Sequence, residues 1–165
     1  MTAMNGANML SAEALRRIDL EVAKYPEGQS QSALMAALRI AQEEKGWLAN
    51  ETIAFVAEYL DLPPIAAFEV ASFYNMYNLQ PVGKYKLVVC TNLPCQLSGG
   101  LHAAEYLKQK LGIEMGETTP DGRFTLKEGE CMGACGDAPV MLVNDRRMCC
   151  FMTPDQIDRL LEECK

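Results

Sequence analysis

The sequence lacks the features of a nucleic-acid-binding, membrane-spanning or secreted protein. Its 15 lysines and arginines are outnumbered by 22 acidic residues, and the net charge of −7 leaves no basic face for a phosphate backbone. No apolar run approaches the roughly 18 residues of a membrane span, so direct membrane insertion is not predicted. The first ten residues contain no lysine or arginine, so neither a secretory signal nor a mitochondrial presequence is predicted. A cytoplasmic location is therefore expected.

Histidine is scarce, and cysteine is absent from the first 89 residues. The single histidine, His102, falls on a predicted helix, and we interpret it as a surface or half-buried residue rather than the partner of a nucleophilic thiol. The seven cysteines all lie in the second half of the chain. An odd number of cysteines without a secretion signal argues against a disulfide framework and favours metal binding or redox chemistry.

Residues 1–80 are predicted to form a helical bundle. Apolar residues recur at helical spacing in four segments, which short connections with proline or glycine separate. Ser11 is the predicted N-cap of the first helix, Gly46 ends the second, and Asn50 caps the third. The apolar positions that define the four helices are Leu15, Ile18, Val22 and Tyr25; Leu34, Met35, Leu38 and Ala41; Ile53, Val56, Ala57 and Leu60; and Ile65, Phe68, Val70 and Phe73.

Residues 81–165 are predicted to form a second domain with the order strand, helix, strand, strand, strand, helix. The fold class is therefore α+β, with a helical bundle followed by a small α/β layer. Asp145 and Arg146 are predicted to turn the third strand into the fourth, and Thr153 is the predicted N-cap of the last helix. The predicted strands are 84–90, 123–127, 140–143 and 148–152, and the predicted helices are 101–111 and 154–163.

Four cysteines form two closely spaced pairs, Cys90-x4-Cys95 and Cys131-x3-Cys135. Each pair is predicted to lie in a loop at the end of a strand, where the two pairs can converge. Four thiolates can complete the shells of two irons bridged by two sulfides, or they can hold one zinc. The C-x2-C spacing of many zinc sites and of thioredoxin-type redox sites does not occur, so the spacing favours a [2Fe–2S] cluster over zinc. The glycines predicted to bring backbone amides close to these sulfurs are Gly99, Gly100, Gly133 and Gly136.

The other three cysteines are interpreted as packing or surface thiols. Cys149 and Cys150 are adjacent, so on a strand their side chains are expected to face opposite sides. Cys164 is predicted to lie on the last helix.

Five collinear motifs resemble the 24 kDa-type subunit of NADH:quinone oxidoreductase (respiratory complex I), which belongs to the thioredoxin-like ferredoxins. The resemblance runs over residues 11–165 and includes all four paired cysteines. The motifs are ASFY at 71–74, QPVGK at 80–84, CTNLPC at 90–95, DGRFTL at 121–126 and CMGACGDAP at 131–139.

The resemblance implies a thioredoxin-like domain that carries one [2Fe–2S] cluster. It implies that Cys90 and Cys95 bind one iron, and that Cys131 and Cys135 bind the other. The implied partner is the FMN- and NADH-binding subunit in the peripheral arm of the complex, which would sit at the cytoplasmic side of the inner membrane. The implied chemistry is one-electron exchange with the flavin, as a non-autonomous subunit of an oxidoreductase that has no substrate site or catalytic residue on this chain.

Three other functions stay open at the level of sequence. An equivalent diaphorase subunit of an NAD-reducing hydrogenase or of an NAD-dependent formate dehydrogenase would carry the same cluster. A zinc-stabilised interaction module would use the four thiolates for structure alone. A thiol oxidoreductase would form reversible disulfides within each cysteine pair.

Overall fold

The computed structural model describes residues 9–164, and the chain divides between Pro81 and Val82 into two compact units. The described part of the first unit is built from helices, whereas the second contains a four-stranded sheet and three helices. The predicted mixed helix-and-sheet class is confirmed. The assignment of residues 1–80 and 81–165 to two domains stays a prediction. Among the described helices, none has the length and apolar character needed to cross a membrane.

Four helices pack around the apolar core of the first unit. They are α1 (Ala12–Val22), α2 (Leu34–Lys45), α3 (Asn50–Tyr59) and α4 (Pro64–Phe73). A short 3₁₀ turn, Ser30–Ala33, precedes α2 and was not predicted from the sequence.

The caps explain where these helices begin and end. The Ser11 hydroxyl accepts a hydrogen bond from the backbone N–H of Ala14 at 3.1 Å, as predicted for an N-cap. Gly46 adopts a left-handed conformation and ends α2, again as predicted. Ala49, rather than Asn50, occupies the cap position of α3, so Asn50 is the first helical residue.

Helix α4 is rich in apolar residues, and apart from Glu69 and Ser72 its side chains are apolar on the exposed surface as well as on the buried one. Ala67 and Ala71 pack inward with 0% and 1% exposure. The side chains of Ile65, Phe68 and Phe73 are instead 62%, 40% and 78% exposed. Three large apolar side chains exposed on one short helix give the outer surface of α4 the character of an interface, although Glu69 and Ser72 are exposed there too.

The sheet of the second unit has the strand order β2-β1-β3-β4. Strands β1 and β2 are parallel, whereas the pairs β1–β3 and β3–β4 are antiparallel. The strands are β1 (Tyr85–Cys90), β2 (Phe124–Gly129), β3 (Met141–Val143) and β4 (Arg147–Cys149). The predicted hairpin between the last two strands is confirmed, but β4 is shorter than predicted. It ends before Phe151, whose positive φ of 52° takes the chain out of the extended conformation.

Helices α6 (Gly100–Leu111) and α7 (Pro154–Glu163) pack on one face of this sheet. Leu87 and Val89 of β1 point into that layer, because alternate residues of a strand share a face. Gly112 ends α6 in a left-handed conformation, and the Thr153 hydroxyl caps α7. A short helix, α5 (Leu93–Leu97), lies between β1 and α6. This packing fixes the sheet edge at which the paired cysteines lie.

Candidate metal centre

The strand topology brings the two cysteine pairs to one edge of the sheet. Cys90 is the last residue of β1 and lies opposite Gly129, the last residue of β2. Parallel strands end at the same edge, so the loops that leave β1 and β2 begin side by side. Strand β3 runs in the opposite direction and begins at this edge, where the N–H of Cys90 donates to the carbonyl of Val140 at 3.1 Å.

Side-chain hydrogen bonds connect the two cysteine-bearing loops. The hydroxyl of Thr91 donates to Glu128 Oε1 at 2.5 Å, and Asn92 Nδ2 donates to Glu130 Oε2 at 2.9 Å. These bonds join the segment after Cys90 to the segment before Cys131. These two hydrogen bonds therefore help to hold the two cysteine pairs in position relative to each other.

The first pair is buried. Cys90 and Cys95 have exposures of 2% and 1%. Burial raises the pKa of the Cys95 thiol, the hydrogen bond with Cys90 raises it further, and a hydrogen bond from the backbone of Val140 lowers it. A backbone N–H aimed at a sulfur favours the thiolate that a metal requires.

The prediction that Cys95 lies in a loop is wrong. Cys95 is the third residue of α5, which Pro94 helps to begin because its fixed φ suits the first turn. The helical turn directs Cys95 inward, whereas Leu93 and Leu97 on either side are 63% and 80% exposed.

The second pair lies at the surface. Cys131 and Cys135 are exposed and belong to the segment between β2 and β3. Gly133 takes a positive φ of 74°, and its N–H donates to Cys131 Sγ at 3.4 Å, which confirms the predicted amide at this glycine. The hydrogen bond with Cys131 raises the pKa of Cys135, and the charge of Cys131 adds to this effect.

The charges of the two cysteine pairs act on one another. The charge of Cys90 raises the pKa of Cys135, and the charge of Cys135 raises the pKa of Cys95. Within residues 9–164, no three His, Cys, Asp or Glu side chains are close enough to hold a single metal ion. Two neighbouring pairs of thiols match two irons with two protein ligands each, whereas one zinc needs four convergent sulfurs. Four thiols in two pairs therefore fit the ligand set of a binuclear cluster.

One of the four predicted glycines is required by a close backbone approach. A Cβ atom on Gly100 would lie 2.8 Å from the carbonyl oxygen of Cys95 and 3.0 Å from that of Cys90. A Cβ on Gly136 would meet no atom within 4 Å, so space around this position does not demand glycine.

The remaining sequence-predicted residues lie away from the pairs, with one exception. His102 is exposed on α6, and Cys149 and Cys164 are buried in the core of the second unit, as expected of packing thiols. Cys150 instead packs against the small cluster formed by Cys90, Cys95 and Val140. Cys150 was not predicted to belong to the site. Adjacent residues of a strand face opposite sides, and this rule could have indicated that Cys150 lies in a different environment from Cys149.

Comparison with known proteins identifies the family. The pattern of the thioredoxin-like [2Fe–2S] ferredoxin family matches residues 18–165. A subunit of the NADH-quinone oxidoreductase of Rickettsia felis is 43% identical over 143 residues, which cover 86% of this chain and 85% of that protein. The mitochondrial NADH dehydrogenase [ubiquinone] flavoprotein 2 of Dictyostelium discoideum is 44% identical over 134 residues, which cover 81% of this chain and 54% of that protein.

A solved structure shares the fold. The NAD⁺-reducing [NiFe]-hydrogenase in its H₂-reduced state matches with a TM-score of 0.69 and 26% identity. The match covers 79% of this chain but only 22% of the hydrogenase chain, so the chain spans about a fifth of that longer polypeptide. Taken with the sequence matches and the paired thiols at one sheet edge, this similarity shows that the chain belongs to the thioredoxin-like [2Fe–2S] ferredoxin family.

Proposed function

We propose that this chain is the [2Fe–2S] electron-transfer subunit of an NADH:quinone oxidoreductase. The observation that carries the proposal is the arrangement of Cys90, Cys95, Cys131 and Cys135 as two pairs at one sheet edge. Relatives that are collinear with most of this chain bear the name of that complex. When bound, the cluster supplies reversible one-electron transfer, and the polypeptide supplies its ligands and surroundings.

The two pairs have different roles in this proposal. Cys90 and Cys95 would hold one iron, and the apolar lining around them excludes water. Cys131 and Cys135, which are exposed, would hold the other iron. The N–H groups of Gly133 and Val140 donate to ligand sulfurs, which favours the more negative, reduced state.

The proposed electron partner is the flavin of an adjacent NADH-binding subunit. The outer surface of α4 exposes the apolar side chains of Ile65, Phe68 and Phe73, as expected of a surface that another subunit covers. In the hydrogenase, the matching fold is one part of a much longer chain, so the fold occurs there beside other protein segments. Assembly with that subunit would place the chain in a peripheral arm on the cytoplasmic side of the membrane.

A second candidate function keeps the cluster and changes the complex. The structural similarity to the NAD⁺-reducing hydrogenase favours an equivalent diaphorase subunit. The identities of 43% and 44% to subunits named for NADH oxidation exceed the 26% identity to the hydrogenase, and they favour the quinone-linked complex.

The test is the metal content of the anaerobically purified full chain. We expect two irons and two acid-labile sulfides per chain, no zinc, and a rhombic EPR signal after reduction with dithionite. Cys131→Ser is expected to lose or alter that signal, whereas Cys164→Ser, which changes a core thiol, should keep it. One zinc without sulfide would reject electron transfer, as would reversible disulfides without metal. Co-purification of the chain with a flavin subunit from the native membrane then identifies the complex.

A further inference from the structure

A fifth thiol lies beside the four proposed ligands. Cys150 is half-buried and packs against the apolar lining formed by Cys90, Cys95 and Val140. Its neighbour Cys149 is buried in the other core, between the sheet and its helices. The cysteine doublet therefore supplies one thiol to each of two environments.

Strand β4 brings Cys150 to this position. Cys149, the last residue of β4, pairs with Met141, the first residue of β3. Met141 pairs in turn with Val89, next to the end of β1. The end of β4 therefore reaches the sheet edge that carries the paired thiols.

The segment that begins at Cys150 is fixed to the turn that carries Cys135. Cys150 Sγ lies 3.9 Å from Asp137 Oδ2, a distance at which a thiol donates a weak hydrogen bond to a carboxylate. The N–H of Phe151 donates to the carbonyl of Asp137 at 2.9 Å, and the N–H of Met152 donates to the carbonyl of Pro139 at 3.0 Å. Asp137 ends the 3₁₀ turn that begins at Cys135.

We propose that Cys150 is a positioning residue of the metal centre, which acts through Asp137 on the midpoint potential. Reduction adds a negative charge to a site that already holds four thiolates, so a nearby carboxylate opposes reduction. The S–H of Cys150 reduces the negative charge that the Asp137 carboxylate presents on the Cys135 side. Without this donor, the carboxylate should oppose reduction more strongly. The inference rests on the proposed function, because it needs the cluster.

The experiment is a double-mutant cycle on the full chain with its cluster bound. Midpoint potentials are measured by EPR-monitored redox titration, and iron and sulfide contents are measured in parallel. Cys150→Ala should lower the midpoint potential, and Cys150→Ser, which keeps a donor, should restore it. Asp137→Asn should raise the potential, and adding Cys150→Ala to that variant should cause no further change. Cys149→Ala is the matched control from the same doublet and should leave the potential unchanged.

Several outcomes would overturn the inference. An unchanged potential in Cys150→Ala would do so, as would the same decrease in the Asp137→Asn background. A shift in Cys149→Ala equal to that in Cys150→Ala would indicate general loosening of the fold. Loss of iron from Cys150→Ala and Cys150→Ser would assign Cys150 to metal retention instead of charge tuning. A wild-type chain without iron would refute the proposed function and this inference together, whereas an iron-loaded chain with an unmoved potential refutes the inference alone.

Discussion

Lys86 places a charged side chain in the interior of the second unit, on the central strand β1. It is one of the large, fully buried side chains among residues 9–164, with 1% exposure, and it lies on the sheet face opposite α6 and α7. Its ammonium group forms an ion pair with Asp145. Asn144 and Asp145 both take positive φ values in the turn between β3 and β4, and the N–H of Lys86 donates to Asn144 Oδ1 at 2.7 Å. The hairpin turn therefore neutralises a buried charge of the central strand.

Asp145→Asn is expected to destabilise the chain by about 2–3 kcal/mol. Removing one member of a fully buried ion pair costs roughly 3–5 kcal/mol, and the partial exposure of Asp145 reduces this value. Asparagine adopts a left-handed conformation readily, so the turn itself should persist. Denaturant unfolding of the two proteins measures the difference in the free energy of unfolding.

Glu163→Gln is the control for this prediction, because it breaks the exposed ion pair with Arg147. Exposed pairs contribute about 0–1 kcal/mol, so its effect should be small. If Asp145→Asn cost no more than Glu163→Gln, the ion pair would not stabilise the buried Lys86.

At the scale of elements, the first residue of α6, Gly100, packs closely against the backbone of Cys90 and Cys95. Gly100→Ala would force a Cβ against the carbonyl oxygens of Cys90 and Cys95, which are backbone atoms with little freedom to move. We expect a loss of about 1–3 kcal/mol in stability, the usual cost of overpacking, and a lower iron and sulfide content in the purified protein.

Gly136→Ala is the matched glycine variant for this measurement, since a Cβ there meets no atom within 4 Å. It lies next to Cys135 and should retain the full iron and sulfide content. Full iron content in Gly100→Ala would show that the α6 start can shift without disturbing the site.

A second element-scale prediction concerns the contact between α1 and α3. The hydroxyl of Tyr59 donates to Asp19 Oδ1 at 2.6 Å, and this hydrogen bond, with burial, raises the pKa of Tyr59 to about 12 from an ordinary value of 10.0. The unfolded chain therefore loses this proton at a lower pH than the folded chain. The stabilisation is fully present below pH 10 and is lost as the pH rises from 10 to about 12.

Unfolding of the wild type and of Tyr59→Phe across that pH range measures this contribution. The wild type should be more stable at neutral pH, and the difference should shrink between pH 10 and about 12. Tyr25→Phe controls for the loss of a tyrosine hydroxyl. A constant difference between wild type and Tyr59→Phe would show that Asp19 does not hold the phenol proton.

Elements with their own local signals were predictable from the sequence, whereas those set by tertiary contacts were not. Ser11 caps α1 through its own hydroxyl, and Gly46 and Gly112 end α2 and α6 through the left-handed conformation that glycine adopts readily, so the sequence located these ends. Helix α5 is only five residues long, too short for a periodic apolar pattern. The spacing of the four paired cysteines predicted the candidate site, but the position of Cys150 depends on the strand order β1-β3-β4, which spacing does not encode.

At the scale of the whole molecule, the net charge of −7 bears on the redox chemistry. Reduction adds negative charge to an acidic protein, and dissolved salt screens the resulting repulsion over a Debye length of about 10 Å at 0.1 M. We expect the midpoint potential to rise with ionic strength. Redox titrations at low and high sodium chloride, with sucrose as an uncharged control, measure this effect. A potential that stays constant or falls with salt would show that the protein charge does not act on the site.

The exposed apolar side chains of α4 also matter for the newly synthesised chain, before assembly. Phe73 is 78% exposed, so a copy made without a partner presents uncovered apolar side chains to chaperones and proteases. We expect unassembled copies to be cleared or to aggregate even when their own fold is stable. The cellular amount of the chain would then follow the supply of a protein that covers α4. The chain would accumulate only when the two proteins are made in similar amounts.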